Sequence, residues 1–129
     1  MKARYVIGLS MLAGVAFGAI AIQGLNAQAK PPVYLVIDVS DVTNEEGWKA
    51  NTERPMATLN TIMKGFGGRY LARTDKITAL DGTASKRLII IRFASEEKAK
   101  GWYNSAEQIK VNETRMKNTK SRAFIVDGM

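Results

Sequence analysis

The sequence predicts an α+β domain in which a four-stranded antiparallel sheet carries its helices on one face. Two stretches have apolar residues on both faces of a strand: Val33 to Val39 reads VYLVIDV, and Leu88 to Phe93 reads LIIIRF. Successive side chains of a strand point to opposite faces, so such strands belong to a sheet that is covered on both sides. The predicted helices suffice for one face, and we expect a second copy of the chain to cover the other.

The first 29 residues have the pattern of a secretory signal peptide. Lys2 and Arg4 precede an apolar segment, residues 5–22, and Ala27-Gln28-Ala29 matches a signal-peptidase site. We expect cleavage after Ala29, export to the periplasm or out of the cell, and no stable membrane anchor after cleavage. An uncleaved membrane anchor is the alternative, because the apolar run is nearly long enough to span a bilayer.

Residues 30–129 then form a single domain, and its composition excludes several kinds of chemistry. The sequence contains no cysteine and no histidine, which excludes disulfides, histidine bases and histidine-ligated metals. Its carboxylates are not spaced like metal ligands, so we expect neither a metal nor a cofactor. Beyond Ala29 the chain has 17 basic and 12 acidic residues. The basic residues are dispersed, and no nucleic-acid partner is expected.

A strand followed by an interrupted helix is predicted for the first half of the domain. The strand covers Val33–Ser40, and Thr43 with Glu46 forms a capping box at the start of the helix. Pro55 should kink or break that helix near residues 51–54. The buried side of the helix is expected to contain Trp48, Pro55, Met56, Leu59, Ile62, Met63 and Phe66. The helix should end at Gly65, Gly67 and Gly68.

Two strands separated by a turn follow. The first covers Arg69–Thr74, with an extension to Ala79 as an alternative, and Asp81-Gly82 indicates the turn. The second strand is Arg87–Phe93.

The chain then returns to helix and closes with a strand. Ser95 is the expected N-cap of a helix that buries Ala99, Trp102 and Tyr103. Ser105 and Gln108 form another capping box, and the helix that begins there carries Ile109 and Met116. The last strand is predicted at Arg122–Val126.

The resulting order, β-α-β-β-α-β, is the ferredoxin-like plan. Right-handed crossovers place the first and third strands side by side in the centre of the sheet. These are the two strands that are apolar on both faces. The second and fourth strands become edges, where charged residues are expected: Arg69, Arg73, Arg122 and Asp127.

Three segments carry a resemblance to a known family. They are Gly67–Arg73 (GGRYLAR), Lys86–Phe93 (KRLIIIRF) and Trp102–Glu107 (WYNSAE). Together they resemble domain-of-unknown-function family 1330, of the dimeric α+β barrel superfamily, over residues 33–128. Arg115 and the segment Val126-Asp127-Gly128 also match. The resemblance implies a ferredoxin-like dimer and no agreed reaction.

More distant members of that superfamily include cofactor-independent monooxygenases, lactone isomerases and haem enzymes. The haem enzymes usually bind iron through histidine, which this sequence lacks. The chain also departs from the family pattern at two places. Thr74-Asp75 stands where glycines are common, and a tyrosine usual after the third segment is replaced at Gln108 or Ile109.

Asp38 and Arg92 interrupt the two central strands, and both are predicted on the same face. They are candidates for a cross-strand ion pair at the sheet rim or at the dimer seam. Alternatively Asp38 is a general base beside a pocket, since a carboxylate is the obvious base in a chain without histidine.

Arginines of the second and third strands are candidates for anion binding. Arg69 and Arg73 are expected to point the same way, with Arg87 on the neighbouring strand, and they could clamp a carboxylate or phosphate. Equally, they could shield the edge strand from pairing with other sheets. Arg115 is a candidate for either role.

Aromatic side chains complete the candidate site. Trp48, Trp102 and Tyr103 suit either the core or a ligand platform, and the hydroxyls of Tyr34 and Tyr70 need partners if buried. A pocket is expected between the sheet and its helices, lined by these aromatics with Arg69 and Arg73. Two functions follow: an exported module that binds a small aromatic or anionic molecule, or a cofactor-independent monooxygenase or isomerase with Asp38 as base.

Overall fold

A computed structural model describes residues 30–129. The predicted signal peptide, residues 1–29, lies outside the described residues. The elements, in chain order, are β1 (Val33–Val42), α1 (Glu45–Thr52), α2 (Met56–Gly65), β2 (Arg69–Thr74), β3 (Arg87–Phe93), α3 (Glu96–Tyr103), α4 (Ala106–Asn118) and β4 (Thr119–Asp127). In residues 30–129 no helix is both long enough and apolar enough to cross a membrane.

The four strands form one antiparallel sheet in the order β2-β3-β1-β4. This confirms the ferredoxin-like plan, with the two strands that are apolar on both faces at the centre. β2 ends at Thr74 and does not reach Ala79. β4 begins at Thr119, three residues before the predicted start, and it pairs with the end of β1 beyond a bulge between Val39 and Asp41.

The helix-covered face of the sheet carries the core. Its fully packed strand side chains belong to β1 and β3, and they pack against Met63 of α2 and against Ala99 and Trp102 of α3. The rings of Phe93 and Trp102 lie 5.7 Å apart at an interplanar angle of 39°. The buried strand residues are Val33, Leu35, Ile37, Val39, Ile91 and Phe93.

The opposite face of the sheet, called the open face here, presents apolar side chains to solvent. In the register, Val36 of β1 lies between Ile90 of β3 and Phe124 of β4. None of these side chains is buried, and Phe124 and Val126 remain 37% and 42% exposed. By the same register the open face consists of Tyr34, Val36, Asp38, Arg69, Ala72, Thr74, Leu88, Ile90, Arg92, Arg122, Phe124 and Val126.

The predicted first helix is two helices, α1 and α2, and Pro55 accounts for the break. Proline has no N–H to donate and its ring disfavours helix in the residue before it, so α1 ends at Thr52 and α2 begins at Met56. The N-cap of α1 is Asn44, whose side chain accepts a hydrogen bond from the N–H of Gly47 at 3.3 Å. The predicted capping box at Thr43 is therefore wrong by one residue.

The start of α1 is tied to the end of α4. The carbonyl of Asn118 accepts hydrogen bonds from the N–H groups of Thr43 and Asn44 at 2.9 and 3.1 Å. Gly47 permits the close approach, because a Cβ there would lie only 2.1 Å from Oδ1 of Asn118. These contacts hold Trp48 over the helix-covered face.

Two consecutive glycines end α2 and lead into β2. Gly67 has φ +75°, and the N–H groups of Gly67 and Gly68 donate to the carbonyls of Lys64 and Met63, which is the Schellman arrangement. Gly68 then sits against the core: a Cβ there would lie 2.6 Å from Cγ of Met63 and 2.7 Å from Cε1 of Phe93.

Replacement of Gly68 by alanine should destabilise the fold, because one added methyl group overpacks the core. Overpacking costs about 1–3 kcal/mol, and the urea midpoint of unfolding should fall accordingly. Gly65→Ala is the matched control: nothing lies within 4 Å of its Cβ position, and alanine in a helix gains up to about 1 kcal/mol. An unchanged midpoint for Gly68→Ala would contradict the packing described for Met63 and Phe93.

Candidate functional site

A cavity lies between the helix-covered face and the helices, where the sequence predicted a pocket. Its volume is about 70 Å³. One water molecule needs about 10–15 Å³ of such space, so roughly five to seven would fit. The floor is built from β1, β2 and β3, and the walls come from α1, α2, α3 and α4.

Most of the cavity surface is apolar or aromatic. Trp48, Tyr70 and Trp102 supply the aromatic surface. Trp102 belongs to the buried core and also lines the cavity. The aliphatic and thioether lining consists of Ile37, Val39, Met56, Leu59, Ile89, Ile91 and Val111, and the neutral polar lining consists of Asn51, Thr52 and Gln108.

Three arginines also line the cavity: Arg73, Arg87 and Arg115. Arg73 lies opposite Ile89, and Arg87 lies opposite Val39, which places both on the helix-covered face. Arg73 and Arg87 are therefore diagonal neighbours on adjacent strands, close enough for both guanidinium groups to meet one ligand.

Arg115 reaches the cavity from α4 and is held in place by neutral hydrogen-bond partners. It is only 4% exposed. Its Nε donates to Oγ of Ser121 at 3.2 Å, Nη1 to Oδ1 of Asn112 at 3.2 Å, and Nη2 to the hydroxyl of Tyr103 at 2.9 Å. These three bonds fix the plane of the guanidinium group.

The buried face of α4 is polar, which the sequence analysis did not anticipate. Ile109 and Met116, predicted as the apolar residues of this helix, are 40% and 56% exposed. The buried side chains are Gln108, Asn112, Arg115 and Asn118. Their spacings of four, three and three residues are the period of a helix face, and this spacing was the signal available in the sequence.

Asn112 connects the members of this polar face. Its Oδ1 accepts from Gln108 at 2.9 Å as well as from Arg115, and its Nδ2 donates to the backbone carbonyl of Tyr103 at 3.0 Å. Ser105 is the N-cap of α4, but its hydroxyl donates to the carbonyl of Trp102 at 2.7 Å and does not cap the helix. The predicted capping box is thus replaced by a bond that joins α3 to α4.

Among residues 30–129, no acidic residue of the cavity lining balances the positive charge of its arginines. In the same part of the chain, no aspartate or glutamate lies within ion-pair distance of Arg73, Arg87 or Arg115. Burial lowers the pKa of Arg87 and the charge of Arg73 lowers it further, while the carboxylate of Asp75 acts in the opposite direction. Arginine nevertheless stays protonated in proteins, so the cavity is positively charged.

Tyr70 also lines the cavity and carries a hydroxyl group. Burial raises the pKa of Tyr70, while the positive charges of Arg73 and Arg87 oppose that shift. Because the pKa remains above the ordinary value of 10.0, the phenol is protonated near neutral pH and is a hydrogen-bond donor. The guanidinium carbon of Arg73 lies 5.7 Å from the centre of the Tyr70 ring.

Tyr103 does not line the cavity, but it is hydrogen-bonded to Arg115, which does. Its hydroxyl accepts from Arg115, and the guanidinium carbon lies 5.9 Å from the centre of the Tyr103 ring. Four of the residues predicted to bind a ligand line the cavity: Tyr70, Arg73, Trp102 and Arg115. Tyr103 contacts Arg115 and does not line the cavity.

The expectation that Arg69 and Arg73 point the same way is wrong. A bulge at Leu71 lets Tyr70 pair with Ile91 and Ala72 with Ile90, which interrupts the alternation of side chains. Arg69 therefore lies on the open face, opposite Arg92. Tyr34 also lies on the open face, between Arg92 and Val126, and does not line the cavity.

The predicted pairing of Asp38 with Arg92 is also wrong. Leu88 lies opposite Asp38, whereas Arg92 lies opposite Tyr34, four residues before Asp38 in β1. Four residues of strand span about 13 Å. Asp38 instead accepts hydrogen bonds from Ser85 at 2.5 Å and from Arg122, its direct neighbour on β4, at 3.4 Å. It lies on the open face, away from the cavity.

In the described part of the chain, the side chains around the cavity do not form a cluster of metal ligands. Residues 30–129 contain no group of three or more aspartate, glutamate, histidine or cysteine side chains that could hold a metal ion. The donors at the cavity are arginine, tyrosine and amide groups, which suit an anion and do not suit a cation.

Solved structures with little sequence identity share the fold. A protein of unknown function from Rhodopseudomonas palustris is 12% identical, with a TM-score of 0.59 over 78% of this chain and 84% of that one. An ethd family protein from Bacillus halodurans is also 12% identical, with a TM-score of 0.55 over 76% and 99%. SnoaB, a cofactor-independent oxygenase from Streptomyces nogalater, is 7% identical, with a TM-score of 0.50 over 77% and 94%.

No curated protein matches the chain. The match to a family model covers the whole of the sheet and its helices. A model for a domain of unknown function, DUF1330, matches residues 32–129, and this chain belongs to that family.

Proposed function

We propose that this protein binds a small organic anion in the cavity between the sheet and its helices. The observation that carries the proposal is the set of three arginines, Arg73, Arg87 and Arg115, around one cavity without a carboxylate among the lining residues. Arg115 is buried and Arg87 is half-buried, whereas Arg73 is exposed. Positive charge that is removed from water is costly when unpaired. A bound carboxylate or phosphate supplies the missing charge through paired hydrogen bonds.

The remaining lining indicates an organic molecule. Trp48, Trp102 and the aliphatic floor offer apolar contacts, and the Tyr70 hydroxyl offers a hydrogen-bond donor. Apolar walls with a few convergent polar groups are typical of small-molecule sites. The ligand therefore has an acidic group for the arginines and an apolar part for the floor.

Catalysis with Asp38 as the general base receives no support from the geometry. SnoaB is a cofactor-independent oxygenase with the same fold, but fold alone does not carry activity. Asp38 faces away from the cavity and is hydrogen-bonded to Ser85 and Arg122. A base must reach the proton that it removes, so we favour binding over catalysis.

Two further expectations become part of the proposal. A second copy of the chain covers the open face, because a sheet with this much exposed apolar surface is an aggregation hazard on its own. The chain is exported and begins at Lys30 after cleavage, since residues 1–29 have the pattern of a signal peptide. Native mass spectrometry of the protein from its host tests both: the mass of the subunit reports cleavage, and the mass of the complex reports the dimer.

Anion binding is tested by calorimetric titration of benzoate, succinate and inorganic phosphate at constant ionic strength. At least one should bind the wild-type protein, and Arg87→Gln should weaken that binding by roughly tenfold or more, because a charged hydrogen bond contributes about 1.5–3 kcal/mol. Lys86→Gln is the control: it removes the same charge from the adjacent, exposed residue and should leave affinity unchanged. The proposal fails if none of the anions binds, or if both variants bind as the wild type does.

A further inference from the structure

We propose that the ligand is a short dicarboxylate, with one carboxylate held by Arg115 and the other by Arg73 and Arg87. This inference rests on the proposed function and narrows it to one class of ligand. It follows from where the three guanidinium groups lie around the cavity, how each is held, and how much space separates them.

The arginines stand on opposite sides of one central strand. Arg87 of β3 lies opposite Val39 of β1, and Val39 lies opposite Ser121 of β4. Ser121 in turn accepts a hydrogen bond from Arg115. The backbone of Arg87 and the anchor of Arg115 are therefore two strand spacings apart, roughly 10 Å. Both side chains line the same cavity, so it has a positive group at each end.

At its end of the cavity, Arg115 has N–H donors available for a carboxylate. A guanidinium has five N–H donors, and Arg115 uses one on Nε and one on each terminal nitrogen for Ser121, Asn112 and Tyr103. Each terminal nitrogen thus keeps one N–H without an acceptor among residues 30–129. Arginine N–H groups are strong donors to carboxylates, and Arg115 lines the cavity.

The other end has two guanidinium groups with few partners. Arg73 makes one hydrogen bond, to the sulfur of Met56 at 3.2 Å, and no hydrogen bond from the side chain of Arg87 is present within residues 30–129. The two arginines are diagonal neighbours, and their charges repel each other. Asp75 offsets part of the charge of Arg87, and Arg73 is exposed to solvent. A carboxylate between the two guanidinium groups removes the repulsion that is left.

The space between the two ends determines the rest of the molecule. Its floor is apolar and includes Ile37 and Val39, which suits carbon and offers no hydrogen bond to a polar linker. Its size corresponds to roughly five to seven water molecules, which excludes a large polycyclic acid. A chain of a few carbons between two carboxylates fits both the floor and the volume.

The experiment compares succinate with its monomethyl ester, which has the same skeleton and one charge fewer. Calorimetric titration of the purified wild-type protein at constant ionic strength should give an affinity for succinate at least roughly tenfold higher, because the ester loses a charged contact at one end. Malonate and glutarate complete a length series, in which a ligand that spans two fixed sites should show an optimum. Inorganic phosphate, a compact dianion, should bind more weakly than succinate.

The outcomes separate this inference from the proposed function. If succinate and its monomethyl ester bind equally, or if phosphate binds as tightly as the best dicarboxylate, the dicarboxylate inference is wrong and anion binding stands. If a monoanionic aromatic acid such as benzoate binds more tightly than every dicarboxylate, the inference is likewise overturned. If no anion binds, both proposals fail together.

Discussion

Replacement of Ile90 by glutamate should convert the protein from a dimer into a folded monomer. Ile90 lies in the middle of the open face, between Val36 of β1 and Ala72 of β2. In the proposed dimer this position is buried against the second copy. An uncompensated buried charge costs about 3–5 kcal/mol, so the dissociation constant should rise by roughly a hundredfold or more. Sedimentation equilibrium at micromolar protein measures the change.

Leu80→Glu is the matched control for this experiment. Leu80 is 93% exposed and lies in the loop between β2 and β3, so the same kind of substitution should leave the dimer intact there. Both variants should keep the circular dichroism spectrum of the wild type, since neither side chain belongs to the buried core. A wild-type protein that is monomeric and well behaved at micromolar concentration would refute the dimer.

Replacement of Arg115 by glutamine should abolish the preference for succinate over its monomethyl ester. Glutamine keeps a polar side chain but loses the positive charge of Arg115, which lines the cavity. Truncation of one partner in a hydrogen-bonded charged contact costs about 2–5 kcal/mol, which is roughly 30-fold or more in affinity. Calorimetric titration of both ligands with both proteins measures the loss and the change in ratio.

Arg54→Gln separates ligand binding from the structural role of an arginine. Arg54 also bridges two elements, through hydrogen bonds to Asn51 at 2.8 Å and to Thr114 of α4 at 2.9 Å, but it does not line the cavity. The Arg54→Gln variant should be less stable than the wild type and should keep the wild-type affinity for succinate. Thermal unfolding confirms that each variant is folded at the temperature of the titration. Equal loss of affinity in both variants would show that Arg115 acts only through the stability of α4.

The order of the strands was predictable because it follows from side-chain alternation, a local property of the chain. The segments Val33–Val39 and Leu88–Phe93 are apolar on both faces, which predicts central strands. The structure confirms this prediction. The break in the first helix was predictable for the same kind of reason, since Pro55 cannot continue a helix whatever surrounds it. The cavity between sheet and helices followed from the fold.

Which residues line the cavity was less predictable, because this depends on the register between neighbouring strands. Nothing in the segment Arg69–Thr74 indicates that Leu71 is bulged, yet this bulge sends Arg73 to the cavity and leaves Arg69 on the open face. Asp38 was paired with the wrong arginine for the same reason. A difference of a few residues in the pairing of two strands decides which charges meet.

The polar face of α4 was not predictable for a different reason. Gln108, Asn112 and Arg115 have helical spacing, as do Ile109 and Met116, and hydrophobicity alone favours burial of the second set. Burial of the polar set succeeds because its members satisfy one another: Asn112 accepts from both Gln108 and Arg115. This compensation involves Tyr103 and Ser121, which belong to other elements, so it arises only when those elements are packed together.

By itself the sequence determined the ferredoxin-like order of elements, the central strands and the absence of histidine and cysteine chemistry. These depend on residue type and on contacts close in the chain. The tertiary structure alone decided which arginines share a cavity, which face Asp38 occupies and which side of α4 is buried. Strand register and packing between distant elements set those outcomes, and a single bulge or a single buried hydrogen-bond network is enough to reverse them.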